Sequence, residues 1–407
     1  MPRDAVSVFF PAVSGGWLAS DENFLKQSKT IDYLKVRGSI GRSGNIGPTY
    51  DANGNVVRLP YRTQFTRGAG PLLGSSFSTS TTAYLVNPAG NPVTTWEKID
   101  RVNVGADIVL FKNTLTLSAD YFDETRKDIL GSPNLPGIPG MAIAQVNSGK
   151  VNSKGADFSG MYDRQFGDVN IALNGNFTYA KNTVLARTVT NGLDGQSQVG
   201  RYVNSGHYYI AEGIFQSQAE IAASPKQTLS GLVVPGDIKY KDVNNDKVID
   251  AKDDVATDYT DIPKMYYGFG LTVRYKQFDL STQFQGVEGR TINLNGQLHA
   301  GPNGFNQLML DSWTPATAAT AKYPRVGLTD NGNNTANSTF WLRSGDFLKM
   351  RTAEFGYSTP ERFNQRYRFK GARFFISGYN LFTISKINDR ASIPKRQTQA
   401  GGRVSRM

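Results

Sequence analysis

The residues best suited to chemistry lie between Asp242 and Asp253, in the stretch DVNNDKVIDAKD. Asp242, Asn244, Asp246, Asp250 and Asp253 occupy positions 1, 3, 5, 9 and 12 of that stretch. Oxygen side chains at this spacing, wrapped around a tight turn, match a calcium loop, because a hard divalent cation takes about six to eight oxygen ligands. Two positions depart from the pattern. Lys247 stands sixth, where glycine permits the sharp turn, and Asp253 stands twelfth, one methylene shorter than the usual bidentate glutamate. The competing expectation is an Asx-rich surface turn, in which the same oxygens accept from backbone amides.

Other chemistry is sparse. His207 and His299 are the only histidines, and cysteine is absent, which excludes disulfides and argues against a zinc site. The chain contains no G-x-S-x-G, no glycine-rich phosphate loop with lysine and no H-E-x-x-H. No carboxylate pair stands out as general acid and base, so no enzyme activity is expected. The net charge of +11 comes from scattered basic residues, not from a basic helix or an aromatic-rich binding motif. The expectation is attraction to acidic ligands or anionic surfaces, and no nucleic-acid partner. Trp17, Trp96, Trp313 and Trp341 sit at loop–strand borders, where anchoring at a barrel rim is expected and sugar stacking at a mouth is the alternative.

The elements that must carry these residues are extended. From Arg101 to Asp128, Val102, Val104, Ala106, Ile108 and Leu110 alternate with polar residues, a turn falls at Lys112-Asn113, and Leu115, Leu117, Ala119 and Tyr121 continue the alternation. This is an antiparallel hairpin with one oily and one wet face. The same period of two recurs over 34–41, 157–162, 169–179, 267–275 and 278–285. Strands of about 10 residues are long for a soluble sheet and suffice to cross a bilayer at a tilt. Hydrophobic residues make up 39% of the chain, which a membrane barrel tolerates because only one residue in two faces lipid. Tyr121, Phe122, Phe177, Tyr179, Tyr266, Tyr267 and Tyr275 lie near strand ends, as interface girdles require. Connections 111–115, 165–169 and 275–278 are tight. Connections 44–96, 130–151, 184–208, 216–264 and 286–341 are long and polar. Short turns at one end and long loops at the other describe an outer-membrane barrel. Helix is expected only over 217–223 and 306–313, and 347–357 and 372–382 are further strands.

Eight segments, in order, resemble one family. Among them are SVFFPAVSGGWLASDENF (7–24), LKVRGSIGRSGNIG (34–47), WEKIDRVNVGADIVLFKNTLTLSADYFDETRKDIL (96–130) and GDIKYKDVNNDKVIDAKDD (236–254). The set is completed by VNSGKVNSKGADFSG (146–160), YYIAEGIFQSQAEI (208–221), WLRSGDFLKMRTAEFGYSTP (341–360) and RFFISGYNLFTIS (373–385). Together they are similar to the C-terminal barrel portion of SusC/RagA-type TonB-linked outer-membrane transporters. The resemblance implies an all-β, transmembrane antiparallel barrel of about 22 strands, of which this chain supplies about half, with long extracellular loops. It also implies an N-terminal plug, a TonB contact, a SusD-like surface lipoprotein as lid, and import of oligosaccharides or peptides across the outer membrane of a Gram-negative bacterium.

Residues 1–385 are expected to be the partial barrel, with 11 to 14 strands at about 10 residues each plus loops. No plug, TonB box or signal peptide is recognised, and 386–407 departs from the family pattern as a disordered or out-of-frame tail without a closing aromatic strand. On these expectations the chain is part of an importer and does not work alone. The alternative is a free-standing β-rich extracellular binding or adhesion protein, stabilised by calcium at Asp242–Asp253.

Overall fold

The computed structural model describes residues 8–45, 49–50, 56–57, 61, 63, 65–73, 79–86, 90–131, 146–187, 195–295, 307–327, 331–368 and 370–387. Ten strands form one sheet: β1 (Ala12–Leu18), β2 (Ile31–Asn45), β3 (Glu97–Leu110), β4 (Leu115–Gly131), β5 (Val146–Phe166), β6 (Val169–Ala186), β7 (Met265–Tyr275), β8 (Phe278–Glu288), β9 (Phe347–Ser358) and β10 (Arg373–Ser385). Their order in the sheet is their order in the chain, and every pairing is antiparallel. Such a meander needs only end-to-end connections, and these alternate between short and long. The tight turns expected after β3, β5 and β7 are all present, the second using Gly167 at φ 59°.

Register converts the alternation into two surfaces. One row across the sheet reads Val36, Ala106, Ala119, Phe158, Phe177, Tyr267, Gly286, Leu348 and Ile384. The row one residue away, on the opposite face, reads Lys35, Asp107, Ser118, Ser159, Asn176, Gly268, Gln285, Lys349 and Thr383. A one-residue slip anywhere would exchange the faces, so the pattern fixes the register. The apolar face has no second layer over it among the described residues. Phe158 is 45% exposed, Leu173 46% and Ile376 72%.

The buried core lies beyond one end of the sheet. Ile238, Tyr240, Ile249, Leu294, Tyr323 and Trp341 form it, drawn from the β6–β7 connection (187–264) and the β8–β9 connection (289–346). Within the first connection, Ser205–Tyr208 pairs with Val255–Thr260 and Ala211–Ile214 pairs with Ile238–Tyr240. The two loops expected at 184–208 and 216–264 are therefore one folded connection. The segment between them is too short to span the wall and finds its partners inside the loop unit.

Other expectations need adjustment. The wall has ten strands among the described residues, fewer than 11 to 14, because single strands reach 21 residues (β5). Phe122 and Tyr266 pair with Asn103 and Thr178 on the polar face, while Tyr121, Phe177, Tyr179, Tyr267 and Tyr275 are on the apolar face. Trp341 is 2% exposed, stacked on Tyr323 at a centroid distance of 6.3 Å, and is core, not rim. The helix expected near 217 spans Gln218–Ala223, capped by Ser217, and Gln307–Asp311 is a 3-10 turn. The tail from 388 onward lies outside the described residues, whereas Lys386 before it is tied to Asp346 at 3.0 Å.

Candidate functional site

The polar face is ordered by charge. Arg37 on β2 reaches across β3 to β4: its Nε donates to Asp107 Oδ2 at 3.0 Å, and its Nη1 and Nη2 donate to Asp120 at 2.5 and 2.6 Å. Ser118 Oγ donates to Asp107 Oδ1 at 2.7 Å. Gly105 lies between these strands, and a Cβ there would fall 2.4 Å from Asp120 Oδ1 and 2.9 Å from Arg37 Cζ, so glycine is what lets the guanidinium cross. A second cluster joins β8, β9 and β10, where Arg373 Nη2 donates to Asp279 at 2.5 Å and to Glu354 at 2.7 Å. Between the two clusters, the Arg274 guanidinium donates to Asn170 Oδ1 at 3.0 Å and the Gln283 amide donates to Asn174 Oδ1 at 3.2 Å. The charged groups of the two clusters are a fifth to two-fifths exposed, so the face meets water with its charges largely compensated. Towards the long-loop end, Arg101 pairs with Glu124 and Arg126 with Glu97 on this face, while on the opposite face, beyond the apolar rows, Arg42 and Lys127 share Asp100.

The loop unit is held by buried polar groups. Asp237 is fully buried and accepts from Arg325 Nε at 2.7 Å, Asn331 Nδ2 at 2.9 Å, Asn334 Nδ2 at 2.9 Å and the Val234 amide at 2.9 Å. Gln227 donates to Asn333 Oδ1 at 2.6 Å and accepts from the Tyr240 amide at 2.7 Å. Tyr240 Oη donates to the Asn333 carbonyl at 2.6 Å. Burial pushes the Tyr240 phenol well above its ordinary value and raises Tyr209 to about 12. None of Asp237, Gln227, Asn333 and Asn334 is marked by sequence pattern; the polar run NGNNTAN over 331–337 is the only local signal, and it reads equally as a solvated loop.

The five oxygen residues of the Asp242–Asp253 loop divide into two groups. Asp242 accepts from the amides of Asp246 and Lys247 at 3.3 and 2.8 Å, Asn244 accepts from Asp246 at 3.1 Å, and Asp246 accepts from Val248 at 2.9 Å. The Val248 amide is the main reason the Asp246 carboxyl sits below its ordinary pKa. Lys247 supplies the left-handed turn itself, at φ 66°. Asp250 instead caps the Lys252 amide at 2.8 Å, and Asp253 is fully buried, with its two oxygens taken by the amides of Val243 and Asp250 at 2.7 and 3.0 Å. The Lys252 ammonium sits 3.2 Å from Asp246 and 3.8 Å from Asp250. Positions 1, 3 and 5 are thus drawn together by successive Asx turns in which their oxygens accept from backbone amides. Positions 9 and 12 are spent on backbone, and no three carboxylates or imidazoles converge among the described residues. His207 Nε2 contacts the Gln196 carbonyl at 2.9 Å, and His299 lies outside the described residues. Trp313 donates to Gln216 at 3.0 Å within the loop unit, away from the wall.

With this geometry in view, likeness to known proteins is informative. A family model of TonB dependent receptor-like β-barrels matches residues 3–381. TonB-dependent receptor P3 of Formosa agariphila is 26% identical over 397 residues, which cover 93% of this chain and 37% of that protein. TonB-dependent receptor SusC of Bacteroides thetaiotaomicron is 24% identical over 405 residues, again 93% of this chain and 37% of the relative. The chain therefore spans a little over a third of the length of these curated relatives. A solved structure of the RagAB peptide transporter superposes with a TM-score of 0.69 at 21% identity, covering 94% of this chain and 40% of that one, a likeness of fold. One uncovered oily face, one charge-compensated polar face and a match running nearly the whole length lead to the same conclusion: this chain belongs to the TonB dependent receptor-like β-barrel family.

Proposed function

We propose that the chain supplies part of the wall, the lumen lining and the outer loops of a TonB-dependent importer in the outer membrane of a Gram-negative bacterium. The observation that carries this reading is the sheet with Val36, Phe158, Leu173 and Phe355 uncovered on one face and Arg37, Asp107, Asn174 and Arg373 on the other. In water such an apolar surface would drive association. In a bilayer it meets hydrocarbon, while the backbone pairs within the sheet. The short turns then face the periplasm and the loop unit faces outward. The substrate is an oligosaccharide or a peptide, handed over under a SusD-like lipoprotein, and energy comes through TonB. Residues of this chain act by binding and guiding, with no covalent step.

Fractionation and growth test the proposal together. The protein should sediment with outer membranes and need detergent for release. Its deletion should abolish growth on the oligosaccharide or peptide it imports, with growth restored by the intact gene. Recovery as a soluble monomer without detergent would overturn the reading in favour of a free-standing binding protein.

For the Asp242–Asp253 loop we propose calcium binding through Asp242, Asn244 and Asp246, with the ion displacing the Lys252 ammonium. What supports it is the three-oxygen arrangement and the left-handed Lys247. Asp253 in that reading stays a loop closure and not a ligand.

A further inference from the structure

A cleft of about 720 Å³ opens where the loop unit meets the wall. It is lined by Lys264, Gly289, Arg290 and Asp346, which adjoin the ends of β7, β8 and β9, by Arg201, Asp258 and Tyr259 of one connection and by Arg343 of the other. Four cations therefore line it, against two carboxylates. Both carboxylates are already engaged: Asp258 lies 3.5 Å from Arg201, and Asp346 pairs with Lys386 and accepts from the amides of Gly289 and Arg290.

Lys264 and Arg290 have no carboxylate partner among the described residues. Both are held in place nonetheless. The Lys264 stem lies against Gly289, where a Cβ would sit 3.0 Å from its Cβ, Cγ and Cδ, and its ammonium rests 4.4 Å from the centroid of the Tyr202 ring. The Arg290 stem lies against Gly345, where a Cβ would meet its Cγ at 3.1 Å and its Cδ at 3.2 Å. Arg290 Nε is shielded from solvent and has no hydrogen-bond partner among the described residues. The guanidinium is thus fixed by packing with its Nε–H unmet, and an anion in the cleft would be met by its outer N–H groups. Beside it, Tyr259 presents a 44% exposed ring, and the hydroxyls of Thr257, Thr291 and Ser344 complete the lining.

We infer that this cleft binds an oligosaccharide carrying carboxylate or sulfate groups, the acid on Arg290 and Lys264 and a sugar face on Tyr259. The inference rests on the importer reading for its place in uptake, but the cleft's preference is a property of these residues alone. Fixed cations favour an anion over a neutral sugar, and the exposed ring among hydroxyls favours a sugar over an acidic peptide.

The test uses the protein extracted from outer membranes in mild detergent, with anything that co-purifies. Titration calorimetry is run with a galacturonate oligomer, a sulfated carrageenan oligomer, maltoheptaose and a glutamate-rich peptide. One or both acidic oligosaccharides should bind, more weakly as salt is raised, and which of them binds identifies the acid. The variant Arg290→Gln with Lys264→Gln should lose about tenfold or more in affinity, while Arg290→Lys keeps part of it. Unchanged tryptophan emission from Trp313 and Trp341 confirms that the loop unit is intact. Equal binding of maltoheptaose, full affinity in the double variant, or binding of the peptide alone overturns the inference. Acid-dependent binding without cellular uptake would support the cleft and remove the importer reading. Uptake indifferent to the cleft charges would remove the cleft and leave the importer.

Discussion

Placing an arginine on each face of β6 gives the sharpest test of the wall. Leu173 is on the apolar face between Tyr162 and Leu271, and its neighbour Asn174 is on the polar face between Met161 and Gly270. Leu173 lies four residues along β6 from Val169 at the short turn. At about 3.4 Å per residue and a tilt of about 40°, that is about 10 Å from the strand end, close to the middle of an apolar band about 25 Å tall. An arginine on the lipid face at that depth costs about 2–4 kcal/mol, whereas lumen positions are tolerant. Leu173→Arg should therefore destabilise the protein by about 2–4 kcal/mol. Asn174→Arg forfeits the contact with Gln283 at 3.2 Å, an exposed amide pair, and should cost about 1 kcal/mol or less. The assay is urea unfolding of the protein in phospholipid vesicles, followed by the mobility shift between folded and unfolded forms in unboiled gels. Equal costs at the two positions, or a larger cost at Asn174, would refute the assignment of faces, because no other property of these adjacent residues separates them by a depth-dependent penalty.

Three further outcomes follow from the loops. Asp237→Ala strips Arg325, Asn331 and Asn334 of a shared acceptor and should destabilise the loop unit by about 3–5 kcal/mol, seen as protease cleavage within 195–264 while the wall persists. Burial holds the Asp254 carboxyl above its ordinary value of 3.8, against a smaller opposing pull from His207, and its Oδ1 is buried without a partner. A carboxyl raised in the folded state takes up protons more readily than in the unfolded one, so its penalty is absent below 3.8 and grows as pH rises through the raised value. Asp254→Asn should accordingly raise the loop unit's melting temperature at neutral pH, an advantage that disappears as pH falls to 3.8, checked by tryptophan emission across a pH series. Lys252→Gln removes the ammonium from Asp246 and Asp250 and should tighten calcium binding about two- to fivefold by calorimetry, as expected when an exposed competing cation is removed; unchanged affinity would contradict the proposed role of Lys252.

The wall is legible in the sequence because a period of two survives without knowledge of the partner. The hairpin at Lys276-Gln277 is found with Tyr275 opposite Phe278 and Phe269 stacked on Phe284 at 4.8 Å. Segments 347–357 and 372–382 separate their faces less cleanly because each strand carries an irregularity, between Met350 and Thr352 and opposite it, which shifts the alternation part-way along. The loop unit is not legible for a different reason. Asp237 meets Arg325 and Asn334 across 88 and 97 residues of chain, and nothing near Asp237 marks it as buried. Trp341 misleads for the same cause: it stands before a strand in sequence, yet its indole donates to the Asn334 carbonyl at 2.9 Å inside a core assembled from elsewhere. In the acidic loop the spacing reports the Asx turns correctly, but it does not reveal that Asp253 faces inward.

The distance spanned by the Asp237 contacts has a kinetic corollary. Hairpins such as β7–β8 close over two residues, whereas the Asp237–Arg325 contact closes a loop of 88 residues, and that entropic cost falls only after β7, β8 and β9 have brought its ends together. Assembly should thus run from the membrane outward, with the outer unit setting last, like a clasp fastened over finished staves. A protease pulse during biogenesis would find the segment 195–264 open at a stage when the strands beneath it already resist cutting.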